Sequence, residues 1–192
     1  MNQNRFNKRS LSRPWMTPAL GLALALAMLF SRSAQAGEFT ESRVKALFLL
    51  KFAQYVEWPA GAMADTNAPI VIGVVGGEHV GDELSEAIQG KTVNGHGFEI
   101  RRLAADADPG GCQILFISDR AASDVIQMLG KAAGQPILTV GEDSAFAEND
   151  GMIDFVRKEE NVRLEINVGS AKKAGLKISS KLLSVADVVK GR

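Results

Sequence analysis

The chain has 192 residues, with 22 basic and 22 acidic side chains, two histidines and one cysteine. That length suits a single domain, and one cysteine excludes an internal disulfide. Formal neutrality hides a mildly acidic balance after the first 36 residues, which gives no electrostatic reason to bind nucleic acid or an anionic membrane surface.

The first 36 residues read as a cleavable secretory signal peptide. Arg5, Lys8, Arg9 and Arg13 form a basic start with no acidic residue. The apolar run from Ala19 to Phe30 follows, too short to cross ~30 Å of hydrocarbon as a helix. Ala34 and Ala36 then stand at minus three and minus one of a cut before Gly37. Gly37 in place of a cysteine offers no lipid-anchor site, and the absence of an Arg-Arg pair points to ordinary unfolded export. Five of the 22 basic residues and none of the 22 acidic ones lie in this segment, so residues 37–192 carry 17 against 22, a net −5. The expected mature product is one periplasmic domain over 37–192.

Thr40 to Trp58 reads as a long helix, with Thr40 as cap and Pro59 as stop. Val44, Phe48, Phe52 and Tyr55 share a face, which Leu47, Leu50 and Trp58 extend. That face is wider than a small domain needs. Phe52, Tyr55 and Trp58 are therefore candidate contacts to a membrane sensor or a second subunit, with closure of the domain's own core as the competing reading. After a loop to Pro69, Ile70–Val75 is a continuous β-branched run, the pattern of a parallel strand covered on both faces. Gly76-Gly77 turns the chain, and Val80 to Ile88 is a short amphipathic helix stopped by Gly90. A strand centres on Phe98–Arg101, and a fully apolar one runs from Cys112 to Ile117. A helix spans Ala121–Leu129, and a fourth strand Pro136–Val140.

The C-terminal part changes to apolar–polar alternation. Met152–Arg157 and Val162–Val168, joined through Lys158–Asn161, form an antiparallel hairpin with one solvated face. Ser170–Ala174 is a helical turn, Gly175 breaks it, and Leu182, Leu183, Val185, Ala186 and Val189 make a last amphipathic helix. The whole reads as a single-domain α/β fold, Rossmann/flavodoxin-like. Its mostly parallel sheet carries helices on both faces, with the C-terminal antiparallel hairpin plus helix at its end.

The chemistry of catalysis is missing from the pattern. His79 and His96 sit beside glycines with no Cys or His at ligand spacing. There is no G-x-S-x-G elbow. Gly73-Val74-Val75-Gly76-Gly77 lies where a nucleotide-binding turn would lie. It is not G-x-G-x-x-G, however, and lacks the lysine of a phosphate loop, so it reads as a tight strand-to-helix turn. Cys112 heads an apolar strand and reads as a small buried hydrophobe. No enzyme activity, cofactor or metal is expected. A small anionic ligand held by Arg163, Asn167 and Lys181 at the strand ends is the alternative to a protein partner.

Several stretches resemble the YfiR family of periplasmic regulators. They are residues 44–59 (VKALFLLKFAQYVEWP), 90–95 (GKTVNG), 112–118 (CQILFIS), 151–155 (GMIDF), 162–167 (VRLEIN) and 174–183 (AGLKISSKLL). Asp154 stands where the family's motif carries Asn, Leu164 where it carries Phe, and Cys112 is alone where one branch pairs its cysteines. The resemblance implies a periplasmic repressor of an inner-membrane diguanylate cyclase that controls cyclic-di-GMP and biofilm formation. It further implies an outer-membrane lipoprotein as sequestering partner and leaves room for a homodimer. A membrane histidine kinase, addressed by a small-ligand-binding sensor, is the alternative.

Overall fold

A computed structural model describes residues 41–63, 67–118, 120 and 122–191. These lie in one compact unit, Glu38–Arg192. The proposed signal peptide, residues 1–36, and the Thr40 cap lie outside the described residues.

Helix α1 runs over residues 41–55 and passes directly into the short strand β1, Val56–Glu57. Strand β2 (Ile70–Val75), helix α2 (Glu78–Ala87) and strand β3 (Phe98–Leu103) form the first parallel unit. Strand β4 (Ile114–Ile117), helix α3 (Ala122–Ala132) and strand β5 (Leu138–Gly141) form the second. Helix α4 (Ser144–Glu148) leads to the hairpin of β6 (Ile153–Lys158) and β7 (Asn161–Asn167). Helix α5 (Val168–Lys173), strand β8 (Lys177–Ile178), helix α6 (Ser180–Leu183) and strand β9 (Val188–Lys190) complete the chain.

Among the described residues one seven-stranded sheet has the order β3-β2-β4-β5-β6-β7-β9. Strands β3 to β6 are parallel, β7 returns antiparallel to β6, and β9 adds parallel to β7. This is a doubly wound arrangement with helices on both faces. The chain moves outward from β2 through α2 and, in the opposite direction, from β4 through α3. Because each β-helix-β connection keeps one hand, the two directions place α2 and α3 on opposite faces.

The burial pattern explains the strand positions. All six residues of β2 and all four of β4 and of β5 are buried, as continuous apolar runs between two helical layers must be. Alternate residues serve two cores. Ile72, Val74, Phe116, Val140, Phe155 and Ile166 meet α1 and α2 through Leu49, Phe52, Val80 and Leu84. Val71, Val75, Leu115 and Ile117 meet α3 and α4 through Val125, Met128 and Phe146. Phe48, Phe52 and Phe155 cluster with ring centroids 6.0–6.1 Å apart, which ties α1 to β6.

Three elements differ from the pattern in the sequence. Helix α1 stops at residue 55 because Val56–Glu57 pairs antiparallel with Lys177–Ile178, and the Tyr55 carbonyl accepts from Ser179 N at 2.9 Å. The last amphipathic helix shrinks to one turn, Ser180–Leu183. Val188–Lys190 is extended instead, because β7 offers an open edge of backbone N–H and C=O groups that a β-branched segment can pair. The polar stretch after β5 carries the extra helix α4, started by the Asp143 side chain accepting from Ala145 N at 2.7 Å.

Candidate functional site

Open α/β sheets hold ligands beyond the carboxyl ends of the strands where the winding reverses. Here that point lies between β2 and β4, at Gly76-Gly77 and Ser118. Both glycines have positive φ, +71° and +55°. A Cβ on Gly76 would stand 2.1 Å from the Ser118 carbonyl oxygen, so only glycine lets the turn close onto β4. Gly77 caps α2 without any side-chain hydrogen bond.

The crevice is spanned by the protein's own charges. Glu142, which follows β5, accepts from the Ser118 hydroxyl on one oxygen and from the Lys45 ammonium of α1 on the other. Lys45 also meets Glu41 at 2.7 Å, and Glu41 meets Arg157 of β6 at 3.3 Å. Burial works against the charge on Lys45, but its hydrogen bonds to Glu142 and Glu41 outweigh that and hold its pKa above the ordinary value. The Lys45 hydrogen bond, opposed by burial, keeps the Glu41 carboxyl below its ordinary value. The start of α1 is thus tied to the carboxyl ends of the central strands. A neighbouring ion pair, Arg43 to the buried Glu83 at 2.9 Å, fastens α1 to α2.

The candidate partner residues on α1 separate. Phe52 is fully buried and its ring serves the domain's own core, which corrects its assignment to a partner surface. The reason is the phase of the helix: Ser42, Ala46, Leu49, Phe52 and Ala53 form the inward stripe, about a third of a turn from the predicted one. Tyr55 and Trp58 are half-buried at the margin of that core, as is Phe48, and Val44 is half-buried. Leu47 is 48% exposed. Val44, Leu47, Phe48 and Tyr55 fall on one flank of α1 at helical spacing, a half-buried apolar strip with Leu47 exposed and the exposed Lys51 between its members.

The candidate ligand residues are not brought together. Arg163 and Asn167 point to the face of β7 opposite Leu164 and Ile166. Lys181 belongs to α6, whose Leu182 packs on the Leu164 and Ile166 face. Asn167 is also engaged locally, since its side chain accepts from Ser170 N at 3.1 Å and caps α5. Strand alternation, invisible without the register, parts the three. A concavity of about 330 Å³ lies elsewhere, between α3 and α5. Ile126, Leu129 and Met152 form apolar walls, with Thr139, Ser170 and Lys173 as polar groups. His79 is exposed, and His96 donates from Nδ1 to the Ala68 carbonyl at 2.7 Å. Cys112 is buried, and burial pushes its thiol pKa up.

The strand order and pairing define a doubly wound α/β domain with a C-terminal hairpin and an added edge strand. The chain belongs to the YfiR/HmsC-like family, whose model matches residues 42–187. This is a family of periplasmic regulators. A solved conserved domain protein of Vibrio cholerae O1 biovar El Tor is similar at 16% identity, with a TM-score of 0.48. The match covers 63% of this chain and 55% of that one, so the chain spans about half the length of the structure it matches. Among curated proteins no match was found. No helix among the described residues is long and apolar enough to cross a membrane.

Proposed function

We propose that this protein is exported to the periplasm and there restrains an inner-membrane signalling protein, a diguanylate cyclase, thereby limiting cyclic-di-GMP and biofilm formation. Family membership over 42–187 supports the role. The apolar flank of α1 is the observation that carries the mode of action. Leu47, Phe48 and Tyr55 present a strip at the spacing with which one helix engages another, and Trp58 extends it beyond β1. Lys51, one turn from both Leu47 and Tyr55, is exposed within the strip and donates to Gln54 Oε1 at 3.3 Å.

Deleting the gene in its host should raise cyclic-di-GMP, and the exported wild-type protein should restore the basal level. Leu47→Glu should melt like wild type and fail to restore it. Unchanged cyclic-di-GMP on deletion would remove the cyclase from the reading. Full restoration by Leu47→Glu would remove the α1 flank.

A second reading is a small-ligand sensor acting on a membrane histidine kinase, favoured by the concavity between α3 and α5. Its size is that of a pocket for a small molecule.

A further inference from the structure

Strand pairing brings two carboxyl groups face to face on the sheet edge that carries the C-terminus. Asp154 of β6 stands directly opposite Glu165 of β7. Side chains so placed are in contact range, and like charges there repel. Asp154 is only 8% exposed, and its Oδ1 is buried with no hydrogen-bond partner among the described residues. Its neighbour across β5 is Gly141, against which the Phe146 ring packs, so water is kept from one side. Glu165 is better placed, with Lys190 of β9 at 3.3 Å. The charges facing Asp154 are therefore Glu165 from β7, Asp143 and Glu142 from the turn after β5, and Lys190 from β9. Glu142 is already neutralised by Lys45.

We propose that Asp154 and Glu165 form a proton-operated latch on the C-terminal sheet edge. With Asp154 protonated, Glu165 alone pairs with Lys190 and holds β9 against β7. With Asp154 ionised, two carboxylates compete for one ammonium and the edge strands loosen. Proton sensing is a function separate from partner binding through α1, because the two surfaces share no residue.

The operating range follows from the site. Burial first, then the charges of Glu165, Asp143 and Glu142, raise the Asp154 carboxyl from 3.8 to about 7, against the opposing pull of Lys190. A folded-state pKa above the unfolded one means that the folded state holds the extra proton between those values. The stabilisation is complete below the ordinary value and is lost as pH rises through about 7.

The test is amide hydrogen exchange on the purified protein, corrected for intrinsic rate, together with a carbon-13 titration of the Asp154 carboxyl. Protection of β7 and β9 should fall by up to about thirtyfold, about 1.5 pH units' worth, between about pH 5.5 and about pH 8. In Asp154→Asn it should stay level. In Glu165→Gln the Asp154 titration should move down toward the ordinary range, which keeps the idea testable should the first variant fold poorly. An Asp154 carboxyl that titrates near the ordinary value, or an unaltered pH slope in Asp154→Asn, would overturn the latch.

Discussion

Lys45, one turn into α1, hydrogen-bonds Glu142 at the end of β5, 97 residues away along the chain. This contact ties the first described helix to the edge of the sheet where related architectures admit ligands. It makes the crevice part of the protein's own framework.

Lys45→Met should therefore destabilise strongly. Removing the partner of a charged, half-buried hydrogen bond costs about 1.5 to 3 kcal/mol, and two carboxylates, Glu142 and Glu41, lose their cation here. Chemical denaturation would measure it, and a loss under about 1 kcal/mol would contradict the geometry. Glu41 adds a pH signature. Its pKa is held down, so its contribution is present above the ordinary 4.5 and is lost as pH falls through the lowered value. Glu41→Gln should flatten that acid limb.

Gly76→Ala and Gly90→Ala separate backbone strain from collision. Both positions have positive φ, +71° and +65°, but a Cβ at Gly90 meets nothing within 4 Å. Alanine at Gly90 should cost about 1 to 2 kcal/mol, the strain of a left-handed residue. At Gly76 the Ser118 carbonyl oxygen adds a clash, and the loss should exceed the Gly90 value by at least about 1 kcal/mol. Equal losses in thermal melts would show that the turn can shift.

Phe52→Ala and Leu47→Ala should differ sharply in stability. Truncating a fully buried phenylalanine removes about 3 to 5 kcal/mol. Truncating a half-exposed leucine should remove about 0.5 kcal/mol. Similar denaturation midpoints for the two would mean that α1 has been assigned the wrong inward stripe.

Cys112 should resist a soluble alkylating reagent in the native protein and react at least about tenfold faster in denaturant. Its thiol is buried and its pKa is raised, which starves the reactive thiolate. Fast native labelling would show that the segment leading into β4 opens readily.

Much of the fold is legible in local pattern. The β2, β4 and β5 runs announce buried parallel strands because a strand covered on both faces must be apolar throughout. The β6–β7 hairpin announces itself by alternation, because one of its faces meets α1 and the other does not. Short pieces escape this logic. The strands β1 and β8 are two residues each, too short for any periodicity, and exist only because the chain brings 56–57 beside 177–178. The β9 strand reads as helix until an open β7 edge is available to pair with it.

The sequence by itself determined the α/β class, the parallel core, the hairpin and the family resemblance, since each is written in contiguous residues. Tertiary structure alone decided which residues meet. Phe52 turned inward because packing sets the phase of α1, a rotation that a broadly apolar helix does not encode. Arg163 and Asn167 parted from Lys181 because strand alternation put them on opposite faces. Lys45 found Glu142, and Asp154 faced Glu165, through strand order and register. Those depend on how the whole sheet pairs, and electrostatic energy is set by distances of a few ångströms that no local window contains.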